Sequence, residues 1–474
     1  MTVDYAIVGI YLSAVVYLGL AASRGVKSLR DYTVSTERYG ILALTATLCS
    51  SFIGGGFSSG NAANCARLGI GNIVSLFGFS ISVILVGRLV APRLERFKSA
   101  ITVGEIIRMA YGKPAQITSG FFSLLVCAGI LGAQISAMGY MFDVFLGTGL
   151  HFGIITGCAI VLLYSTLGGI RAIVANDVLQ FLVLGFGVPM LLFFSFKEAG
   201  GASVVFSQTP PEFYDIFNGR GIVGLLSMFF SLALGEALVP PFVQRMLMGK
   251  SLKTTSRSVM LSGLLSIPFF VITGLVGIAG SVYFAGQSID MNSIMQLMIK
   301  QAAPVGLRGL LVAGMLSIVM GSADSFLNSA SAGFVNDLLL PLSRGRLSER
   351  AALLSARGTN IVTGTLAVAA AIAIPNVLDV LTFSYSFWSP VVLVPLAAAL
   401  LGFKTRPRSF FVGVAAGIFA TLFWRFALSS PLDIDCAVVG FTANLAAFSL
   451  SNISSRRSQR TKKRTCRPAT TPLH

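Results

Sequence analysis

An aspartate stands in the middle of a long apolar run: M-G-S-A-D-S-F-L-N-S-A-S places Asp324 near the centre of segment 307–338. A charge inside a bilayer is costly and by default marks function. At roughly 100° per residue, Ile318, Ser322, Ser325 and Ser329 share one helix face, and Gly321, Asp324 and Asn328 share a neighbouring one. Such a stripe of oxygens suits a dehydrated cation; intramembrane hydroxyls also bond one helix to another. Two further carboxylates interrupt apolar sequence. Asp177 follows the turn-like L-G-G-I-R-A-I-V-A-N, where capping of a helix start is the competing role. Glu236 sits in L-A-L-G-E-A-L-V-P-P-F-V-Q-R and has no capping role to explain it. Asp143, Asp337 and Asp379 lie near the ends of apolar segments and read as interfacial residues.

Other chemistries find little support. The two histidines, His151 and His474, are too few for a metallohydrolase, and the six cysteines (Cys49, Cys65, Cys127, Cys158, Cys436, Cys466) lack metal or redox spacing. Five of them lie in or beside apolar segments and read as small buried side chains. No nucleophile–base pair stands out, so the expectation is a protein that is not an enzyme, with no cofactor.

The elements that position these groups follow from composition. Of 474 residues, 54% are apolar and 11% charged, and the mean hydropathy is +0.81. Soluble domains carry about 25% charged residues, so lipid must cover most of this surface. The chain reads as an all-α, polytopic membrane protein. With about 20 apolar residues needed per span, thirteen candidates emerge: 4–23, 40–62, 71–91, 116–146, 151–169, 174–196, 221–244, 259–286, 307–338, 358–375, 378–401, 410–428 and 434–452. The first lacks a basic segment before it and is too long for a signal peptide. If odd-numbered spans run inward, 29 of the 35 Lys and Arg fall on the inside, among them Arg24, Lys27, Arg30, Arg245 and Arg344, and six fall outside. By the positive-inside rule the amino terminus is outside and the carboxyl tail is cytoplasmic. The net charge of +17 is thus a matter of loops, not of nucleic acid. Residues 99–113 read as an amphipathic helix on the inside face. No glycosylation sequon falls in an outside loop, in keeping with a bacterial inner membrane.

Setting aside the first span and the last two leaves ten, divided into 40–196 and 221–401 on either side of an outside loop, 197–220. Five spans each is an odd number, so the second group must be inverted relative to the first. Segment 1–39 then holds an extra helix, 402–454 two more, and 455–474 a basic, disordered tail. The first helix of each half carries helix breakers: Gly54, Gly55 and Gly56 in one, Gly235, Glu236, Pro240 and Pro241 in the other. Three glycines sacrifice about 3 kcal/mol of helix propensity, and a proline removes a backbone donor. Broken backbone in lipid survives only where protein or a wet cavity satisfies it, and matched interruptions mark a transport site.

Four stretches in order complete a family resemblance: T-V-G-E-I-I-R-M-A-Y-G from Thr102, Y-S-T-L-G-G-I-R-A-I-V-A-N-D-V-L-Q from Tyr164 to Gln180, P-F-V-Q-R ending at Arg245, and S-A-D-S-F-L-N-S-A-S-A-G-F-V-N-D from Ser322 to Asp337. The chain resembles the sodium:solute symporter family. That resemblance implies a LeuT-type core of five plus five inverted helices. It also implies a sodium site between core helices 1 and 8, using the carbonyls of Ala46, Cys49 and Ile318, with Gly321 and the Ser322 hydroxyl. Gly321 stands where many members have a hydroxyl, leaving one oxygen fewer. A second cation or proton site of the family would fall on Asp177, Asp324 and Ser325. The solute would lie near Gly54, Gly55, Gly56, Gly235, Glu236 and Val239. G-G-G followed by S-A-D-S is similar to the choline-transporting branch, and Phe52, Phe57 and Phe242 could lend aromatic faces.

The expected function is sodium-coupled symport of a small organic solute into the cell by alternating access, in the plasma membrane. A proton-coupled carrier using Asp177 and Asp324 and a non-transporting solute sensor are the rivals.

Overall fold

The computed structural model describes residues 2–23, 38–343 and 346–465. Arg24, Lys27, Arg30 and Arg344, the segment 24–37 and the last residues 466–474, with Cys466 and His474, lie outside the described residues. The described chain is helical, with no strand beyond an isolated bridge between Tyr39 and Gly249. In order the helices are α1 Thr2–Ser23, α2 Ile41–Phe52, α3 Asn61–Leu68, α4 Gly71–Leu89, α5 Val103–Tyr111, α6 Lys113–Leu146, α7 Leu150–Glu198, α8 Ala202–Gln208 and α9 Gly221–Gly235. There follow α10 Pro240–Met246, α11 Leu252–Tyr283, α12 Ile294–Ala302, α13 Leu307–Gly333, α14 Glu349–Ala373, α15 Val377–Tyr385, α16 Val394–Leu400, α17 Pro407–Leu422 and α18 Cys436–Thr465.

Among the described residues eight helices are long and apolar enough to cross a membrane, or ten when each of two bent pairs is one span. Thirteen is not reached on length and composition. Thr2–Val15 and Leu150–Leu163 qualify only as shorter apolar helices, and α14 is diluted by Arg357, Thr359, Asn360 and Thr363. The expected spans 151–169 and 174–196 form one hydrogen-bonded element, α7, of 49 residues. Its contour, at 1.5 Å per residue, is more than twice the roughly 30 Å hydrocarbon thickness. Gly168 and Gly169, with no proline beside them, are too weak to stop it at the expected turn. The final helix runs to Thr465, past the Ser455 where a disordered tail was expected.

The two expected interruptions are present. Ile41–Phe52 and Gly56–Leu68 meet at a bend of 65°, and Gly221–Gly235 and Pro240–Met246 at 52°. Helix α13, whose spanning window is 94% buried, packs against α2, α6, α7 and α10, and so stands beside both breaks. Helix α1 packs on α7 and α13; the Asp4 carboxylate accepts from the Gly306 and Gly309 amides at 2.8 and 3.0 Å, capping the start of α13.

The amphipathic stretch folds as α5. Thr102 caps the helix by accepting from the Glu105 amide at 3.2 Å, and Glu105 Oε2 reaches back past the cap to accept from the Ile101 amide at 2.6 Å. Asp337 corrects its expected interfacial role: it is buried, accepting from Thr102 Oγ1 at 2.6 Å and Gln116 Nε2 at 3.2 Å. It fastens α5 to the end of the serine-rich helix. Asp379 is exposed, as expected.

Candidate functional site

Every residue from Leu44 to Ala66 and from Gly235 to Met246 is buried, so both breaks are enclosed by protein. At the first, α2 ends with the Ile53 amide bonding to Cys49 O at 2.8 Å, and a wide turn over Gly56–Gly60 leads into α3. The Gly55 amide is left without a helical acceptor and donates to Gln134 Oε1 of α6 at 2.6 Å. Glycine is needed beside it: a Cβ on Gly54 would stand 2.1 Å from that oxygen. Gln134→Leu leaves a buried amide unpaired, a defect of about 1–3 kcal/mol. We expect the variant to unfold in micelles with a stability loss in that range; an unchanged unfolding transition would deny Gln134 this role.

At the second break α9 stops at Gly235, Leu238 adopts a left-handed φ of 57°, and Pro240 and Pro241 open α10. Proline in a first turn forfeits no hydrogen bond. Two aromatics hold the break. Trp388 Nε1 donates to Ala237 O at 2.8 Å, and Tyr385 OH donates to Glu236 Oε2 at 2.9 Å. The Tyr385 ring lies so close to Gly235 that a Cβ there would meet it at 2.0 Å. The phenylalanines near the first break pack on each other: Phe52 contacts Phe79 and Phe242, each at 5.3 Å between centroids, and Phe57 contacts Phe79 at 4.8 Å. They form a packed cluster behind the glycines.

The serine face of α13 turns toward the two broken helices. Ser322 Oγ donates to Ser51 O of α2 at 2.8 Å. Ser325 Oγ accepts from Arg245 Nη2 at 2.5 Å and Ser329 Oγ donates to Gln244 Oε1 at 2.5 Å. Adjacent residues of P-F-V-Q-R thus engage serines one turn apart. Ala46, Cys49, Ile318, Gly321 and Ser322 are all buried along the α2–α13 contact. The hydroxyl absent from Gly321 has no room: a Cβ would meet Gln180 Oε1 at 1.9 Å and Ser50 Oγ at 2.6 Å. Ser50 Oγ donates toward Gln180 Oε1 at 2.6 Å and toward Asp177 Oδ1 at 2.9 Å.

Asp177 lies inside α7, far from either end, so it caps nothing. It accepts from Thr47 Oγ1 and pairs with Arg245 at 3.3 Å, the two side chains 0% and 1% exposed. Arg245 Nε also donates to Thr47 O and Thr47 Oγ1 at 3.1 and 3.0 Å. The reading of Arg245 as an inside-loop charge is therefore corrected: it lies in the core. Asp177 and Ser325 are brought together around its guanidinium; Asp324 is buried at the adjoining position of α13. Arg245, Gln180, Gln134, Tyr385 and Trp388 escaped the sequence reading. The available signal was the position of Arg245 one turn beyond two prolines, still within the break.

The model of the sodium:solute symporter family matches residues 32–416. The chain belongs to the sodium:solute symporter family. This sodium:solute symporter is 23% identical to the osmoregulated proline transporter OpuE of Bacillus subtilis, over 82% of each chain. It is 24% identical to the sodium/glucose cotransporter of Vibrio parahaemolyticus, over 94% of this chain and 90% of the relative. It is 22% identical to the human high affinity choline transporter 1, over 80% and 68%. Among solved structures, a Na+-coupled sialic acid symporter in a substrate-bound, outward-open state superposes with a TM-score of 0.80 at 20% identity, covering 95% and 97% of the two chains. Mhp1, a nucleobase-cation-symport-1 family transporter in a closed conformation, superposes at 0.58 with 14% identity over 90% and 95%. The fold is the LeuT-type one that the resemblance implies. The symporter is a multi-pass membrane protein, and its function is sodium-coupled symport of a small solute.

Proposed function

We propose that this symporter moves its solute into the cell from a site between the two helix breaks. Sodium binds between α2 and α13, held by the carbonyls of Ala46, Cys49 and Ile318 and the Ser322 hydroxyl, beside Gly321. The observation that carries this reading is the placement of Ser322 against the carbonyl of Ser51, at the broken end of α2. A hydroxyl and helix-end carbonyls are the oxygen donors a hard cation takes. Sodium there bridges α2 to α13 and favours the solute-binding arrangement; by linkage, solute tightens sodium binding by the same factor. The membrane is the inner one of a bacterium, in keeping with outside loops free of glycosylation sequons, and the clustering of Lys and Arg in alternate loops supports an outside amino terminus and a cytoplasmic carboxyl end.

The solute occupies the region of Gly54–Gly56 and Gly235–Val239. Glu236 with Tyr385 and Trp388 supplies a carboxylate and aromatic faces, the combination that selects a cationic nitrogen. Proline and choline, carried by two of the relatives, both have one. Purified protein is screened by thermal shift against amino acids, sugars and quaternary ammonium compounds, in sodium and in potassium. We expect a nitrogen-bearing solute to raise the melting temperature in sodium only, and its uptake into proteoliposomes to need a sodium gradient. Robust uptake in sodium-free buffer at acid pH would overturn the coupling.

A further inference from the structure

A groove of about 700 Å³ runs between the end of α4, the second break, α16 and α18. Helix α4 packs on α9, α9 on α18 and α18 on α16, so these elements wall it in. Its volume is that of a small-molecule site, roughly 300–1,000 Å³. The walls are almost wholly apolar, and Glu236 is not among the lining residues, so this is not the proposed solute pocket. Ala237 and Leu238 of the break line it and are buried, whereas Leu85, Leu89, Leu445 and Ile453 on its walls are exposed. In a membrane protein exposed leucines face hydrocarbon, so the groove opens to the bilayer. Its α18 wall, Phe441 to Ile453, is about 18 Å long at 1.5 Å per residue. One leaflet contributes about half of a hydrocarbon core roughly 30 Å thick, so the groove is as long as an acyl chain is deep.

One end is polar and basic. Lys404, Thr405 and Asn452 line it, and the Arg406 amide donates to Asn452 Oδ1 at 3.3 Å, bringing the loop before α17 against α18. Arg96 Nη1 lies 3.4 Å from where a Cβ on Gly402 would stand. Arg93 Nη1 donates to the carbonyl of Leu89, a wall residue. Arg93, Arg96 and Lys404 are all exposed. Glu95, between the two arginines in sequence, is paired with Lys98 at 2.5 Å. Beyond Asn452 helix α18 continues to Thr465 through S-S-R-R-S-Q-R-T-K-K-R-T. An apolar trough with a basic mouth matches one chemistry, an acyl chain carrying a negatively charged headgroup; basic pockets between membrane helices take such headgroups.

We propose that this groove binds one anionic phospholipid, with its headgroup phosphate at Arg93, Arg96 and Lys404 and an acyl chain laid along α18 to Ala237 and Leu238. The lipid fills the space beside Leu238, the left-handed residue on which the second break turns, and so supports the break from the bilayer side. The orientation proposed above makes its leaflet the cytoplasmic one. Binding itself depends on neither that orientation nor the sodium and solute sites, and it is read without sodium or solute.

Full-length protein is reconstituted in vesicles of equal dioleoyl phosphatidylglycerol and dioleoyl phosphatidylcholine, extracted in mild detergent and weighed by native mass spectrometry. The chains are identical, so selection reports the headgroup. Wild type is expected to retain one lipid per chain, phosphatidylglycerol over phosphatidylcholine by about tenfold or more, the scale for several basic groups at an anionic headgroup. Arg93→Gln/Arg96→Gln/Lys404→Gln, changed only at exposed positions, should lose most of that preference. Ala397→Phe fills the groove from α16 and Ser449→Phe from α18; each should lose the retained lipid. Added phosphatidylglycerol should raise the melting temperature of delipidated wild type but not of either filled variant, an effect that loss of packing alone would not produce. Equal retention of the two lipids by wild type would overturn the inference, as would undiminished retention in a folded Ala397→Phe or Ser449→Phe. A wild-type dimer without lipid, dissociated by both filled variants, would give the groove to a second copy of the chain and overturn it too.

Discussion

Asp177→Asn, unfolded at equilibrium in micelles and potassium buffer, is expected to lose about 3–5 kcal/mol, the scale for breaking one side of a buried ion pair. Neither side chain sees solvent: they are 0% and 1% exposed. The asparagine still accepts from Thr47, but the guanidinium loses the one carboxylate it is hydrogen-bonded to and keeps only the more distant charge of Asp324. Replacing both partners removes that penalty. Asp177→Asn/Arg245→Met should therefore be more stable than Asp177→Asn alone, and the two single losses should exceed the double loss by about 2 kcal/mol or more, as expected for residues in direct contact. Additive losses would mean the pair does not couple, and the clamp on α2, α7, α10 and α13 would have to be assigned to the serines alone.

The second large effect is expected at a residue with no side chain. Gly235→Ala places a methyl carbon 2.0 Å from the Tyr385 ring, well inside van der Waals contact. The ring must move, and its hydroxyl, 2.9 Å from Glu236 Oε2, moves with it. Overpacking of this kind destabilises by roughly 1–3 kcal/mol, but the larger consequence is functional. Sodium-driven solute uptake should fall more than tenfold while sodium-dependent stabilisation persists, because Gly235 belongs to the proposed solute region and Ser322 to the proposed sodium site. Gly358→Ala is the control: nothing lies within 4 Å of its Cβ position, so uptake should be unchanged. Equal losses in both variants would detach Gly235 from the solute site.

The breaks were legible because helix breaking is local: three consecutive glycines, or two prolines after Gly-Glu, act through their own backbone. The serine face was legible because a helix repeats, so Ser322, Ser325 and Ser329 had to point one way. Arg245 was not. A basic residue at the edge of an apolar segment satisfies the positive-inside rule, and its partner is 68 residues away in sequence. Tyr385 lies 149 residues from the Glu236 it contacts, and among many aromatics nothing local distinguished it. The continuity of α7 was misjudged for the opposite reason: its glycines looked like a turn, yet helical hydrogen bonds in an apolar setting outweigh roughly 1 kcal/mol per glycine. Asp177 consequently appeared to begin a helix when it lies well inside one. Past Ser455, Arg, Lys and Gln favour helix, and composition alone had suggested a disordered tail.

The central claim is that Ser322, at the broken end of α2, binds the coupling ion. Thermal unfolding of wild type, Ser322→Ala and Ser331→Ala across a sodium titration, with potassium holding ionic strength constant, tests it most directly. Ser331 is on the same helix but donates to Asn360, away from the breaks. The account predicts saturable sodium stabilisation in wild type and Ser331→Ala, and a midpoint at least tenfold higher, or no stabilisation, in Ser322→Ala. Identical sodium midpoints in all three proteins would contradict it.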